Sequence, residues 1–183
     1  MARSDVDPLT ELYIKCNSAV RETVKAETGR YPRNYKRLEL AKMDKYFTTI
    51  SYKSMTNLDF ASEAMSSLIV LHGLPNTNHR STILFTAMIF EVQGIKFPHY
   101  GSKDNRKRWI DDCNKYITKS KRILYSRKRD PDYKQKHLKW TKEWLAQVVG
   151  TQSNSSGMMS RKSLTTLRNI SSSLGSSSVI INK

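Results

Sequence analysis

The sequence predicts an all-α protein, with one compact helical domain over residues 1–150 and a flexible serine-rich tail over 151–183. Three observations carry that expectation. Apolar residues recur three and four positions apart along most of the first 150 residues, capping residues and Gly or Pro punctuate those runs, and the last stretch is acid-free and serine-rich. A chain of 183 residues is long enough to build one hydrophobic core with a tail left over.

Asp7-Pro8 opens the first helix, because Asp can cap and Pro is tolerated at the first helical position. Leu9, Leu12, Cys16, Ala19, Val20 and Val24 follow at helical spacing, and Gly29 and Pro32 end the run near Thr28. Leu38, Leu40 and Met43 fit a short helix, whereas Tyr46 to Tyr52 (YFTTISY), rich in β-branched and aromatic residues, reads as an extended segment or small hairpin. Thr56 caps a third pattern through Leu71, with Asp59 three residues on, and Ile83 to Val92 forms another nearly all-apolar helix ended by Gly94. Trp109, Cys113, Tyr116, Ile117 and Leu124 mark one face of a basic helix. Asp130-Pro131 restarts a last one, on which Tyr133, His137, Trp140, Trp144 and Val148 read as a core stripe. The tail, with Ser171 to Ser173 and Ser176 to Ser178 as near repeats, carries too little apolar area to order itself.

Charge is distributed unevenly. The net charge is +16, from 32 basic and 16 acidic residues, and residues 101–150 alone hold 15 basic and 6 acidic side chains. Such a balance favours polyanionic partners: nucleic acid, nucleotide phosphates, acidic proteins or an anionic membrane surface. Cys16 and Cys113 lack metal-site spacing and read as free thiols of a reducing compartment. No apolar run follows the start and none approaches a membrane span, so a soluble cytoplasmic protein without membrane association is expected.

Between the two apolar helices lies LHGLPNTNHRS, where the chemistry concentrates. His72 closes the first helix, Gly73 and Pro75 prevent its continuation, and Asn78, Arg80, Ser81 and Thr82 open the second. An imidazole thus faces a helix start, whose unpaired N–H groups favour an anion, phosphate above all. The spacing of His72, Asn78 and Arg80 within a helix–loop–helix resembles the signature of the Fic/Doc family, and the resemblance covers roughly residues 57–94. It implies a helical domain that transfers a phosphate or nucleotidyl group from ATP or another nucleotide onto a Ser, Thr or Tyr hydroxyl of a target protein. By the same likeness His72 is the general base, Asn78 and Arg80 hold phosphate, Ser81 and Thr82 add contacts there, and the YFTTISY segment stands where the family has a target-docking flap. The family's Mg²⁺-binding acid is replaced by Asn76, which offers a carbonyl oxygen without charge, and Ile83 replaces a second arginine. Both departures point to a Doc-like, toxin-like or degenerate member. The other reading, from the basic helices with Tyr and Trp nearby, is a non-catalytic nucleic-acid-binding or scaffolding protein.

Overall fold

In a computed structural model of the protein, the structure describes residues 6–98, 103–150 and 157–173, with the backbone alone for 103–106 and 172. The described residues form seven α-helices: α1 Pro8–Thr28, α2 Leu40–Thr49, α3 Asn57–Leu71, α4 Asn78–Glu91, α5 Lys103–Tyr125, α6 Tyr133–Val149 and α7 Arg161–Ser173, with a 3-10 turn Ser126–Lys128 between α5 and α6. The all-α expectation holds. Among the described residues, β pairing is limited to one antiparallel bridge, Thr56 with Met158.

Local chemistry sets several helix ends. The Asp7 carboxylate accepts from the Leu9 N–H at 2.8 Å, and Gly29 closes α1 in the left-handed region at φ 77°. Thr56 caps α3 by accepting from the Asp59 N–H at 3.0 Å, while its own hydroxyl donates to the Asp59 carboxylate at 2.7 Å.

α3 and α4 form an antiparallel buried pair. Phe60, Ala61, Met65, Leu68 and Ile69 of α3 are sealed from solvent, as are Phe85, Ile89 and Phe90 of α4. α1 covers α4, the α5–α6 pair packs on α3 through α6, and α2 closes the remaining side. The α5–α6 seam is a stack of rings, with Trp144 lying against Trp109 at 5.9 Å and Tyr116 at 4.5 Å between centroids. The aromatic stripe of α6 is therefore core, as its spacing suggests. Cys16 and Cys113 are free, and burial pushes both thiols up to about 12, so neither is a reactive thiolate.

Two expectations are corrected. No strand or flap exists at Tyr46 to Tyr52: residues through Thr49 belong to α2. Met43 and Phe47, one turn apart, are both buried, and Phe47 enters an edge-to-face cluster with Tyr13 and Phe85, its ring 6.1 Å and 5.5 Å from theirs. The Asp44 carboxylate accepts from the Asp7 N–H at 2.7 Å, tying α2 to the start of α1. Tertiary packing outweighs the β propensity of YFTTISY. The tail is likewise ordered in part, since α7 docks on α1 with Leu164, Leu167 and Ser171 buried. Asp7 pairs with Arg168 at 2.9 Å, and Ser171 donates to Glu11 at 3.3 Å. Residues 151–156 and 174–183 of that segment lie outside the described residues.

Candidate functional site

The helix–loop–helix is held in a strained shape. His72 ends α3 in the left-handed region at φ 53°, and Thr77 precedes α4 there at φ 49°. Neither position has the glycine such angles favour, and a β-branched residue there is a clear outlier. Strain of this kind persists only where surrounding contacts over-determine the backbone. They do so here.

The Asn78 side chain clamps the loop: its Oδ1 accepts from the Leu74 N–H at 3.0 Å, and its Nδ2 donates to the Leu74 carbonyl at 3.0 Å. From α1, the Asn17 amide reaches the Asn76 carbonyl at 3.1 Å, Thr77 Oγ1 at 2.7 Å and Ser81 Oγ at 3.1 Å. The preceding connection is laced on as well, with the Tyr35 N–H donating to Pro75 at 3.0 Å and the Glu39 N–H to Gly73 at 2.9 Å. Gly73 allows a close approach, since a Cβ there would sit 2.5 Å from Met43 Cγ and would force that buried side chain to move.

This scaffold opens onto a cleft of about 910 Å³ that His72 and Arg80 both line. Six cationic side chains and one carboxylate border it, leaving five net positive charges; the cations include Lys36, Lys42, Arg80, Lys121 and Arg127. Glu39 is already shared by Lys36 at 3.1 Å and Lys42 at 2.8 Å. Arg80 is exposed and without an acid partner among the described residues. Thr77 gives no side-chain cap to α4, so the first N–H groups of that helix start beside the cleft uncapped. The geometry therefore suits an anion.

His72 is exposed at its outer edge. Desolvation by the wall behind it lowers its pKa, Lys36 and Arg127 lower it further, and Glu39 opposes them, so the ring is neutral near pH 7. Asn78 Nδ2 stands 3.5 Å from His72 Nε2, a long contact that leaves the amide's short hydrogen bond on the Leu74 carbonyl.

The other sequence-predicted residues are spent inside the protein. Ser81 is fully buried and its hydroxyl donates to the Thr77 carbonyl at 3.0 Å; Thr82, equally buried, donates to the Asn78 carbonyl at 2.7 Å and meets the Tyr13 hydroxyl at 2.7 Å. Asn78 also shapes the loop rather than presenting a free donor. Asn76 does not fit a metal ligand: it is 1% exposed, its Oδ1 accepts from Thr77 at 3.2 Å, and its amide donates to the Pro32 carbonyl at 3.2 Å and to Asn34. Among the described residues, no group of three His, Cys, Asp or Glu side chains is placed to hold a metal. Ser18 and Thr23, each spaced four residues before a glutamate, donate to their own helix's carbonyls.

Behind the cleft runs a polar chain that the linear pattern does not announce. Ser66 of α3 meets His137 Nδ1 at 2.8 Å, His137 Nε2 meets Ser120 of α5 at 2.7 Å, and Ser120 meets His79 Nε2 of α4 at 2.8 Å. All four side chains are buried, and His79 is at the cleft wall. Desolvation lowers the His137 pKa to about 4; for His79 desolvation first, then Lys121, His137 and His72, lower it to about 3.

The fold and site together define an all-α protein with a basic cleft built on a clamped helix–loop–helix. Its residues 3–164 match the model of a family of unknown function, DUF8172, and the chain belongs to that family. No curated protein and no solved structure matches it. No helix among the described residues is long and apolar enough to cross a membrane.

Proposed function

We propose that the cleft binds the phosphates of a nucleotide such as ATP and transfers a phosphate or nucleotidyl group to a hydroxyl of a protein target. The observation that carries this reading is the meeting of His72, Arg80 and the uncapped start of α4 on one open, net-positive cleft. Arg80 takes the transferred phosphate with its planar fork, and the N–H groups of Asn78, His79 and Arg80 face the same charge. Lys36 and Lys121 neutralise the rest.

The neutral His72 ring accepts the proton of the incoming hydroxyl, whose oxygen forms the new P–O bond as a phosphoanhydride bond breaks and the leaving group departs, the nucleoside diphosphate in phosphate transfer or pyrophosphate in nucleotidyl transfer. Asn78 acts by holding the loop in register rather than by touching phosphate, and Ser81 and Thr82 support the helix start from below. No step runs through Mg²⁺, because Asn76 is turned inward and its carbonyl is occupied. Cationic side chains supply the neutralisation instead.

The test uses ATP labelled at the α- or γ-phosphorus with cellular proteins as acceptors. Label should appear on a protein, His72→Ala should abolish it, and Arg80→Ala should weaken ATP binding by roughly ten-fold, as expected for a charge-assisted pair. Failure of both labels to transfer, together with unchanged ATP affinity in Arg80→Ala, refutes the reading.

A further inference from the structure

Two tyrosines stand at this cleft almost bare. Tyr35 is 80% exposed and Tyr125 is 83% exposed, and both line it. Among the described residues neither ring has an aromatic or cationic neighbour, in contrast to nearby Tyr31, whose ring lies 4.4 Å from Lys25 Nζ and whose hydroxyl donates to Glu22 at 2.8 Å. Tyr35 is not bare through looseness. Its N–H is fixed to Pro75 at 3.0 Å, and the flanking Asn34 and Pro32 hold the Asn76 amide. Tyr125 is fixed by its place at the junction of α5 and the 3-10 turn. Two rings carried on anchored backbone are thus presented to solvent at a cleft that also holds unpaired cations: Arg80, Lys121, Arg127 and Lys128 have no acid partner among the described residues.

Aromatic faces interspersed with cations along an open groove match single-stranded nucleic acid, whose unpaired bases stack while its phosphates track the positive charge. A mononucleotide offers one base to two separate rings. A duplex hides its bases. We propose that the cleft takes single-stranded nucleic acid, with bases on Tyr35 and Tyr125 and backbone phosphates on Arg80, Lys121, Arg127 and Lys128. This inference rests on the reading of the cleft as a phosphate site, and not on the transfer chemistry.

The test is fluorescence anisotropy with the full chain and three probes: a labelled twelve-nucleotide poly-U RNA, the matching poly-T DNA, and a duplex of equal length, each titrated at several salt concentrations, with ATP binding measured in parallel. A single strand, RNA or DNA, should bind more tightly than the duplex and than ATP. The pair Tyr35→Ala and Tyr125→Ala should weaken single-strand binding by roughly ten-fold or more while leaving the salt slope unchanged, because stacking carries no charge. The pair Arg127→Ala and Lys128→Ala should reduce the slope of log affinity against log salt by about 1.4, near 0.7 for each lost phosphate contact. Both tyrosines are solvent-facing, so their replacement does not threaten the fold. Equal binding of duplex, or affinity indifferent to both tyrosines, overturns the proposal. ATP binding that needs Arg80 without single-strand binding overturns it too and leaves the phosphate site standing, whereas loss of both removes the two readings together.

Discussion

Mild acid should destabilise this protein through its two buried histidines. His79 and His137 have pKa values of about 3 and about 4 in the folded chain, against 6.5 for the free side chain. Because the folded values are depressed, the unfolded chain binds more protons than the folded one below pH 6.5. The stabilisation is therefore complete above that pH and is lost progressively as pH falls towards the folded values. Each group that is neutral when folded and charged when unfolded costs about 1.4 kcal/mol per pH unit in that window. From pH 7.5 to 5 this comes to about 2 kcal/mol for each histidine and about 4 kcal/mol for the pair, a large share of a typical domain's stability. Urea unfolding followed by circular dichroism across that range measures the loss as a falling midpoint at constant slope. Restricting the range to pH 5 and above keeps most carboxylates ionised. In His137→Gln the drop should be roughly halved, to about 2 kcal/mol, since one of the two titrating groups is gone. A flat wild-type profile, or an unchanged drop in His137→Gln, would mean that the rings titrate as in water and that the Ser66–His137–Ser120–His79 chain is not closed. Imidazole nitrogen shifts by NMR give an independent reading: both rings should still be neutral at pH 5.

The clamp, the close approach, the strained residue and the terminal brace each make their own prediction. Asn78→Ala leaves the buried N–H and carbonyl of Leu74 without their partner and should cost about 3 kcal/mol in urea unfolding, whereas an exposed loop residue would cost little. Gly73→Ala drives a methyl into Met43 and should destabilise by about 1–3 kcal/mol; the double change with Met43→Ala should cost less than the sum of the two, a coupling that a double-mutant cycle reads. His72→Gly removes a side chain from a left-handed position and should raise the melting temperature through a gain of about 1 kcal/mol, while abolishing transfer in the labelled-ATP assay. Arg168→Ala breaks a partly buried pair with Asp7 and should cost about 1 kcal/mol, an effect that weakens in high salt.

What was legible in the chain was what neighbours decide. The ends of α1 at Asp7 and Gly29, and the Thr56 cap of α3, use groups within a turn of one another. Each could be read directly. The meeting of His72 with Arg80 is similarly local, being set by a loop of a few residues between two apolar helices. The fate of Asn78, Ser81 and Thr82 was not, although the clamp on Leu74 is itself short-range, because residue type alone does not say whether an amide or hydroxyl faces solvent or the loop. Ser81 and Thr82 are claimed by Asn17 and Tyr13, 64 and 69 residues away. The second half of α2, from Tyr46 to Thr49, was hidden for the same reason, because the slot that Phe47 fills is made by rings from α1 and α4. In α7 the serines mask the stripe of Leu164, Leu167 and Ile170, a face with value only once α1 is there to receive it. The His–Ser chain gathers one side chain from each of four helices, and no spacing within any one of them announces it.

The brace between α7 and α1 also bears on when the site can exist. Asn17, which holds the loop from Asn76 to Ser81, lies on the helix that α7 braces through Ser171 on Glu11 and Arg168 on Asp7, the latter across 161 residues of chain. On a translating ribosome, α1 emerges first and waits for α7 while the intervening residues are made, some 10–30 s at ordinary elongation rates. During that interval the nascent chain carries α3, α4 and their loop with α1 only partly covered. Until α7 docks, the cleft's anchor rests on a helix that lacks its outer brace, and the site takes its full shape only after α7 has been made.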